Sequence, residues 1–192
     1  MENKRNSCSG NLIYYFIAIF ITEFSRTIPH AFVTIYLLQS NFELAQISMI
    51  QIPYMILIFL FEIPSGILCD FYNKKKIFVL SNLFLAIAYF IYFINPIFWM
   101  IVVAQCFYGL STAFYTGTID SIILSELNSE KDSQRKIELF FRRETIVLEI
   151  AMILGATIGS YLYFHFLGKF VYMISIIGYF IASIFACFIK DN

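Results

Sequence analysis

The chain has 192 residues and a formal net charge of zero, with only 14% of its residues charged against 60% hydrophobic. A water-soluble domain carries about 25% charged residues, so too few polar side chains remain to cover a globule in water, and a lipid bilayer is the expected solvent. Zero net charge says nothing about nucleic acid, which is not expected as a partner; the information lies in where the charges sit along the chain.

The opening "MENKRNSCSGNLIYYFIAIF" is basic and then apolar, like a secretory signal. Its apolar run continues past the ~7–15 residues of a signal core and no small-residue cleavage site follows, so it reads as a retained first span. Six stretches reach the ~20 residues needed to cross a bilayer as helix. They run about 12–38, 45–69, 77–95, 97–124, 144–166 and 169–189, within a single membrane domain covering 1–192. Helix is required because hydrocarbon offers no partner to backbone N–H and C=O groups. Breaks are expected at "QSNFE" (39–43), "FYNKKK" (71–76), "NP" (95–96), a polar run over 125–144 and "LGK" (167–169).

With the N-terminus inside, the inner segments hold Lys4, Arg5, Lys74, Lys75, Lys76, Lys131, Arg135, Lys136, Arg142, Arg143 and Lys190, and the outer segments hold Lys169 alone. That asymmetry predicts a multi-pass protein of the cell membrane with both termini in the cytoplasm. The cytoplasmic loop 125–143 carries mixed charges and "IELFF". Two readings fit it, a short amphipathic helix on the inner leaflet and a solvated connector. Cys8, Cys69, Cys106 and Cys187 show no CxxC pairing, so neither a zinc site nor a disulfide framework is expected. Cys8, beside Lys4 and Arg5, is an unmodified thiol by default, with lipidation as the alternative.

The first span contains Glu23, Arg26, Pro29 and His30. A charge at mid-bilayer costs about 2.5–3.5 kcal/mol on insertion scales, so two in one helix need partners or a wet cavity. Helical spacing puts Glu23, Arg26, Thr27, His30 and Thr34 within an arc of roughly 100°. Glu23 and Arg26 are three residues apart and Arg26 and His30 four, close enough to interact. Pro29 frees the Ser25 carbonyl, and a kink is expected there. A kinked polar stripe can line a binding cavity, or the Glu–Arg pair can simply lock helices together. The fourth span repeats the pattern with Gln105, Tyr108, Thr112 and Thr116 on one face beside Gly109, which suits a cavity wall or helix-packing contacts. In the fifth span Ala151, Gly155 and Gly159 recur every four residues, a small-residue surface for close helix approach. Glu149, about one turn into that span, suits a proton-carrying carboxylate or an interface residue.

The second and third spans are joined through "FEIPSGILCDFYNKKKIF" (61–78). Pro64 and Gly66 are expected to loosen the end of the second helix, and Asn73 to take a left-handed backbone conformation as Gly would. The lysines would sit on the anionic inner leaflet. Asp70, just past a helix end, can pair with a basic group or cap a nearby helix N-terminus, a contact able to act as a latch.

"GILCDFYNKKK" resembles the signature that joins spans two and three in the major facilitator superfamily, in outline G-x-L-x-D-x-x-G-[RK]-[RK]. Gly66, Leu68, Asp70, Lys74 and Lys75 fit; Asn73 replaces the signature glycine and Phe71 a frequent arginine. "FEIPSG" (61–66) is similar to the "FEIPTG" form of one group of these transporters. "YTGTIDSIILSEL" (115–127) resembles that group's "SGxxEAxxYDSL" segment through Thr116, Gly117 and Asp120, with Ser125 where Asp is common. "LGATIGSYL" (154–162) resembles the family's glycine-rich fifth span without the proline of the antiporter form, so antiport is not supported. Gln105 stands where many members carry an arginine linked to proton coupling.

The resemblance implies an all-α half-bundle of two inverted three-helix repeats, with spans one and four lining a path for a small solute moved by alternating access. Glu23, Arg26 and His30 would bind the substrate or couple ions, and Gly66, Asp70, Asn73, Lys74 and Lys75 would gate the inner side. Family members typically have two such halves. Three arrangements follow: a truncated or split product, a half paired with a second one encoded elsewhere, or a homodimer. Rival readings are a non-transporting membrane scaffold or receptor and a lipid-modifying enzyme. The enzyme would need clustered acids, whereas Asp70, Asp120 and Asp132 are isolated and no HExxH, GxSxG or P-loop spacing occurs. No cofactor, metal or catalytic residue is expected; the partners are the bilayer, the solute and possible second half-bundles.

Overall fold

The computed structural model describes the backbone of residues 2–94, 97–115, 133–165 and 168–189, and the side chains over those ranges except 2–10, 69–71 and 133. Every regular element among the described residues is an α-helix: α1 Glu2–His30, α2 Val33–Gln39, α3 Leu44–Phe71, α4 Lys74–Ile94, α5 Phe98–Tyr115, α6 Ser133–His165 and α7 Lys169–Cys187. Among the described residues, six stretches are long and apolar enough to cross a membrane: Asn11–Gln39, Leu44–Leu68, Lys74–Ile94, Phe98–Tyr115, Gln134–His165 and Lys169–Cys187. The expected breaks at 95–96 and over 125–132, and the expected end of the fourth span over 116–124, lie outside the described residues.

The local details depart from expectation in four places. Pro29 has no N–H to return to Ser25, yet α1 runs on to His30 and the chain then breaks, where a kinked but continuous helix was expected. Phe32 N–H bonds the Pro29 carbonyl at 3.3 Å, a tight three-residue reach, before Tyr36 N–H picks up the Phe32 carbonyl at 2.9 Å and α2 begins. The second helix is not loosened by Pro64 and Gly66; it continues to Phe71. One missing backbone bond is tolerated in a long apolar helix, and the Ser65 hydroxyl donates to the Glu62 carbonyl at 2.8 Å within the same turn.

Asn73 is not the left-handed residue. Among described non-glycine residues that conformation belongs to Asn41, with φ 66°, in the turn between α2 and α3. Asn73 instead starts α4: its side-chain oxygen accepts from Lys75 N–H at 3.0 Å, and its carbonyl accepts from Lys76 N–H at 2.9 Å. This is an N-cap, a role Asn fills better than Gly. Finally, α6 begins at Ser133, so of the two readings the helical one holds over residues 133–143, as a continuation of the fifth span and not as a separate short helix or a loop. "SQRKIELFFRRE" has no Gly or Pro and is rich in good helix formers, so the helix propagates through it into the apolar span.

The helices pack in a linear order of neighbours: α3 on α5, α5 on α4, α4 on α7, α7 on α1, and α1 on α6. Counting α1 and α2 together as one span, this order reads spans two, four, three, six, one, five. Exchanging each of the first three spans for the one three places later returns the same order reversed. Because successive spans alternate direction, that exchange also inverts the orientation in the membrane, which is the relation between two inverted three-helix repeats. The principal core joins Ile28, Phe32, Leu37, Ile50, Leu85 and Ile101 to a set of buried tyrosines. A second cluster, around Tyr15, Phe78 and Phe140, lies toward the other end of the bundle.

Polar groups and small residues tie the neighbours. The Ser111 hydroxyl of α5 donates to the Ser81 carbonyl of α4 at 2.7 Å. Gly155 and Gly159 of α6 lie against α1: a Cβ on Gly155 would stand 2.9 Å from the Phe24 carbonyl oxygen, and one on Gly159 would overlap that of Ile28. The flanking helices α3 and α6 leave much of their apolar surface uncovered, with Phe59 79% and Ile63 75% exposed on α3, as suits a lipid-facing surface.

Candidate solute cavity

A cavity of about 170 Å³ lies among the spans, lined by Pro29, His30, Val33, Gln51, Tyr54, Tyr89, Tyr92, Gln105, Tyr108 and Tyr172. Five helices contribute to it besides α2. The end of α1 supplies Pro29 and His30, and the break just beyond redirects the chain so that Val33 of α2 joins the same wall. Gln105 is buried on α5, and its side-chain amide donates to the Tyr92 hydroxyl at 3.2 Å. The Tyr92 carbonyl accepts from the Tyr36 hydroxyl at 3.0 Å. Tyr92 stacks on Tyr172 with ring centroids 5.4 Å apart, and Tyr54 packs on Tyr108 at 5.3 Å. The walls thus combine aromatic faces with hydroxyl and amide groups and, among the described residues, contain no carboxylate.

Beside the cavity stands an ion pair. Arg26 Nη1 lies 3.3 Å from Glu23 Oε2, both side chains being mostly buried. The guanidinium lies over the Tyr115 ring, 4.9 Å from its centroid, an attractive cation–π arrangement. The Tyr89 hydroxyl, from the cavity wall, donates to the Arg26 backbone carbonyl at 3.0 Å. Arg26 Nε and Nη2 are buried and have no hydrogen-bond partner among the described residues. Leaving such donors unmet costs about 1–3 kcal/mol, more for a charged group, so the pair is tolerated rather than satisfied.

The residues singled out in the sequence fall into three sets. His30, Gln105 and Tyr108 line the cavity, and Glu23 and Arg26 pair beside it. Thr34 is exposed on α2 beyond the break, and the Thr112 hydroxyl folds back on the Tyr108 carbonyl of its own helix at 3.0 Å. Glu149 is exposed on α6 and forms no part of the cavity wall. Gly66, Asn73, Lys74 and Lys75 lie at the junction of α3 and α4; the side chain of Asp70 and all of Thr116 lie outside the described residues. Sequence reading did not single out Gln51, Tyr54, Tyr89, Tyr92 or Tyr172. A signal existed in the spacing of Tyr89 and Tyr92, which share a helix face in the third span.

Six spans in an inverted-repeat order, enclosing a tyrosine-rich cavity beside a buried ion pair, have the architecture of a half-bundle of the membrane-transporter class. The family model for the Major Facilitator Superfamily matches residues 15–192, and the chain belongs to that superfamily. A search of curated proteins found no match.

Proposed function

We propose that this chain moves a small solute across the membrane by alternating access, as one half of a secondary transporter, and is not an enzyme. The observation that carries the reading is the cavity at the break after α1, with His30 and Gln105 in its wall and the Glu23–Arg26 pair beside it. A helix that only packed would gain nothing from two charges at that depth. Glu23, Arg26 and His30 bind the solute or its coupling ion; Tyr108 and Gln105 complete the opposite wall; Asp70, Lys74 and Lys75 gate the cytoplasmic side; Gly155 and Gly159 hold α6 against α1.

His30 and Thr34 are exposed on the six-span bundle, where lipid would leave them unsatisfied. A second six-span body therefore covers that face and completes the path. On this reading the protein sits in the plasma membrane with both termini in the cytoplasm, and the likeness of "FEIPSG" to "FEIPTG" supports membership of that group. The test is solute flux in proteoliposomes for wild type and Glu23→Gln, with the chain alone and with a co-expressed partner half. Wild-type flux that the variant carries unchanged would remove Glu23 from coupling; no flux under either condition would favour a non-transporting scaffold.

A further inference from the structure

Resting on the transport reading, the geometry points to a solute class: we propose that the cavity takes a small carboxylate with a planar or apolar body. Two independent observations meet here. The first is the underused guanidinium. Glu23 engages Arg26 through Nη1 alone, at 3.3 Å, longer than the 2.7–2.9 Å typical of a charge-assisted bond. The two nitrogens left without a partner among the described residues are Nε and Nη2. These share one edge of the planar group, the edge whose parallel N–H bonds match the two oxygens of a carboxylate. Lysine offers no such fork.

The second observation is the cavity wall. It contains Tyr54, Tyr89, Tyr92, Tyr108 and Tyr172 and, among the described residues, no acidic one, so it has ring faces for a flat solute body. At about 170 Å³ it is smaller than the ~300–1,000 Å³ of pockets that hold drug-sized ligands. Tyr89 reaches from this wall to the Arg26 backbone carbonyl at 3.0 Å, and His30, four residues beyond Arg26 on the same helix, lines the space. Arg26 does not itself line the cavity; it stands one helical turn from His30, which does, and in the proposal the solute carboxylate reaches its buried guanidinium past the wall that Tyr89 and Tyr108 form. That carboxylate competes with Glu23 for Arg26, and binding exchanges one carboxylate partner for another without changing the charge on the arginine.

The experiment compares three probes of one shape, benzoate, benzamide and benzylammonium, by equilibrium dialysis against the full chain in lipid nanodiscs. Benzoate is expected to bind at least about tenfold more tightly than either analogue, the difference made by a charge-assisted pair of bonds. Arg26→Gln should erase that preference. Glu23→Gln should tighten benzoate binding, because the competing carboxylate is gone; a purely structural ion pair would give weaker binding or no change. Equal binding of benzoate and benzamide to the wild type, or weaker benzoate binding to Glu23→Gln, overturns the assignment even if Arg26→Gln fails to fold. If none of the probes binds while a cysteine at position 30 still reacts with a water-soluble maleimide, the carboxylate assignment fails and the solute path stands. A cysteine there that is sealed in every condition removes the path itself.

Discussion

The close approach of α1 and α6 makes a quantitative prediction through two glycines. Gly66 and Gly159 both lie within helices, α3 and α6, and alanine favours a helix over glycine by about 0.8–1.0 kcal/mol at either position. They differ in what the added methyl meets. At Gly66 no atom stands within 4 Å. At Gly159 the methyl would overlap the Ile28 carbonyl oxygen and lie 3.0 Å from the Ile28 Cα. The obstacle is the backbone of α1, so relief requires two whole helices to separate, and overpacking of this kind costs about 1–3 kcal/mol. The propensity gain is common to both variants and cancels in their difference. Gly159→Ala should therefore be less stable than Gly66→Ala by about 1–3 kcal/mol, with Gly66→Ala at or slightly above wild type. Thermal unfolding in mild detergent, followed by far-ultraviolet circular dichroism, measures both. Equal midpoints would show that α1 and α6 do not meet backbone to backbone at this position.

Three further outcomes are expected. Asn73→Ala should lower stability by about 1 kcal/mol through loss of the cap on α4, while Asn73→Asp should match wild type; the same melts decide it. Ser111→Ala removes the buried donor to the Ser81 carbonyl and should cost about 1 kcal/mol, whereas Ser183→Ala, whose hydroxyl bonds only its own helix at 2.8 Å, should cost less. A cysteine at position 30 should react with a membrane-impermeant maleimide, and one at Ala104, buried in the core, should not; the reverse order would place the cavity on the wrong side of α1.

Much of the architecture could be read in the chain because hydrocarbon leaves so little choice. Each apolar run had to be helix, and the lysines and arginines fixed a consistent set of turns. The junction of α3 and α4 was harder. Pro64 and Gly66 look like breakers, but a helix bonded on both sides of a proline survives it, and Asn73 offered two local roles of which only tertiary placement selects the cap. The charged residues of span one announced themselves, since their burial is costly and their spacing is local. The tyrosines did not. Tyr54, Tyr89, Tyr92 and Tyr172 come from three different spans, and no periodicity within one helix reveals that they line one cavity. For residues 133–143 the sequence left a short amphipathic helix and a solvated connector open; the stretch is helical, and what was not legible is that its strong helix formers run on without a break into the fifth span.

The order of contacts has a consequence for biogenesis. The first span finds its neighbours, α6 and α7, only at the far end of the chain. During synthesis it must wait in lipid while the later spans are made, at about 5–20 residues per second. Arg26 passes that interval without the tyrosines that later surround it. Glu23, one turn away on the same helix, is a counter-ion already in place, so the nascent first span can enter the bilayer with the charge of Arg26 balanced and hold its polar face ready for helices that do not yet exist.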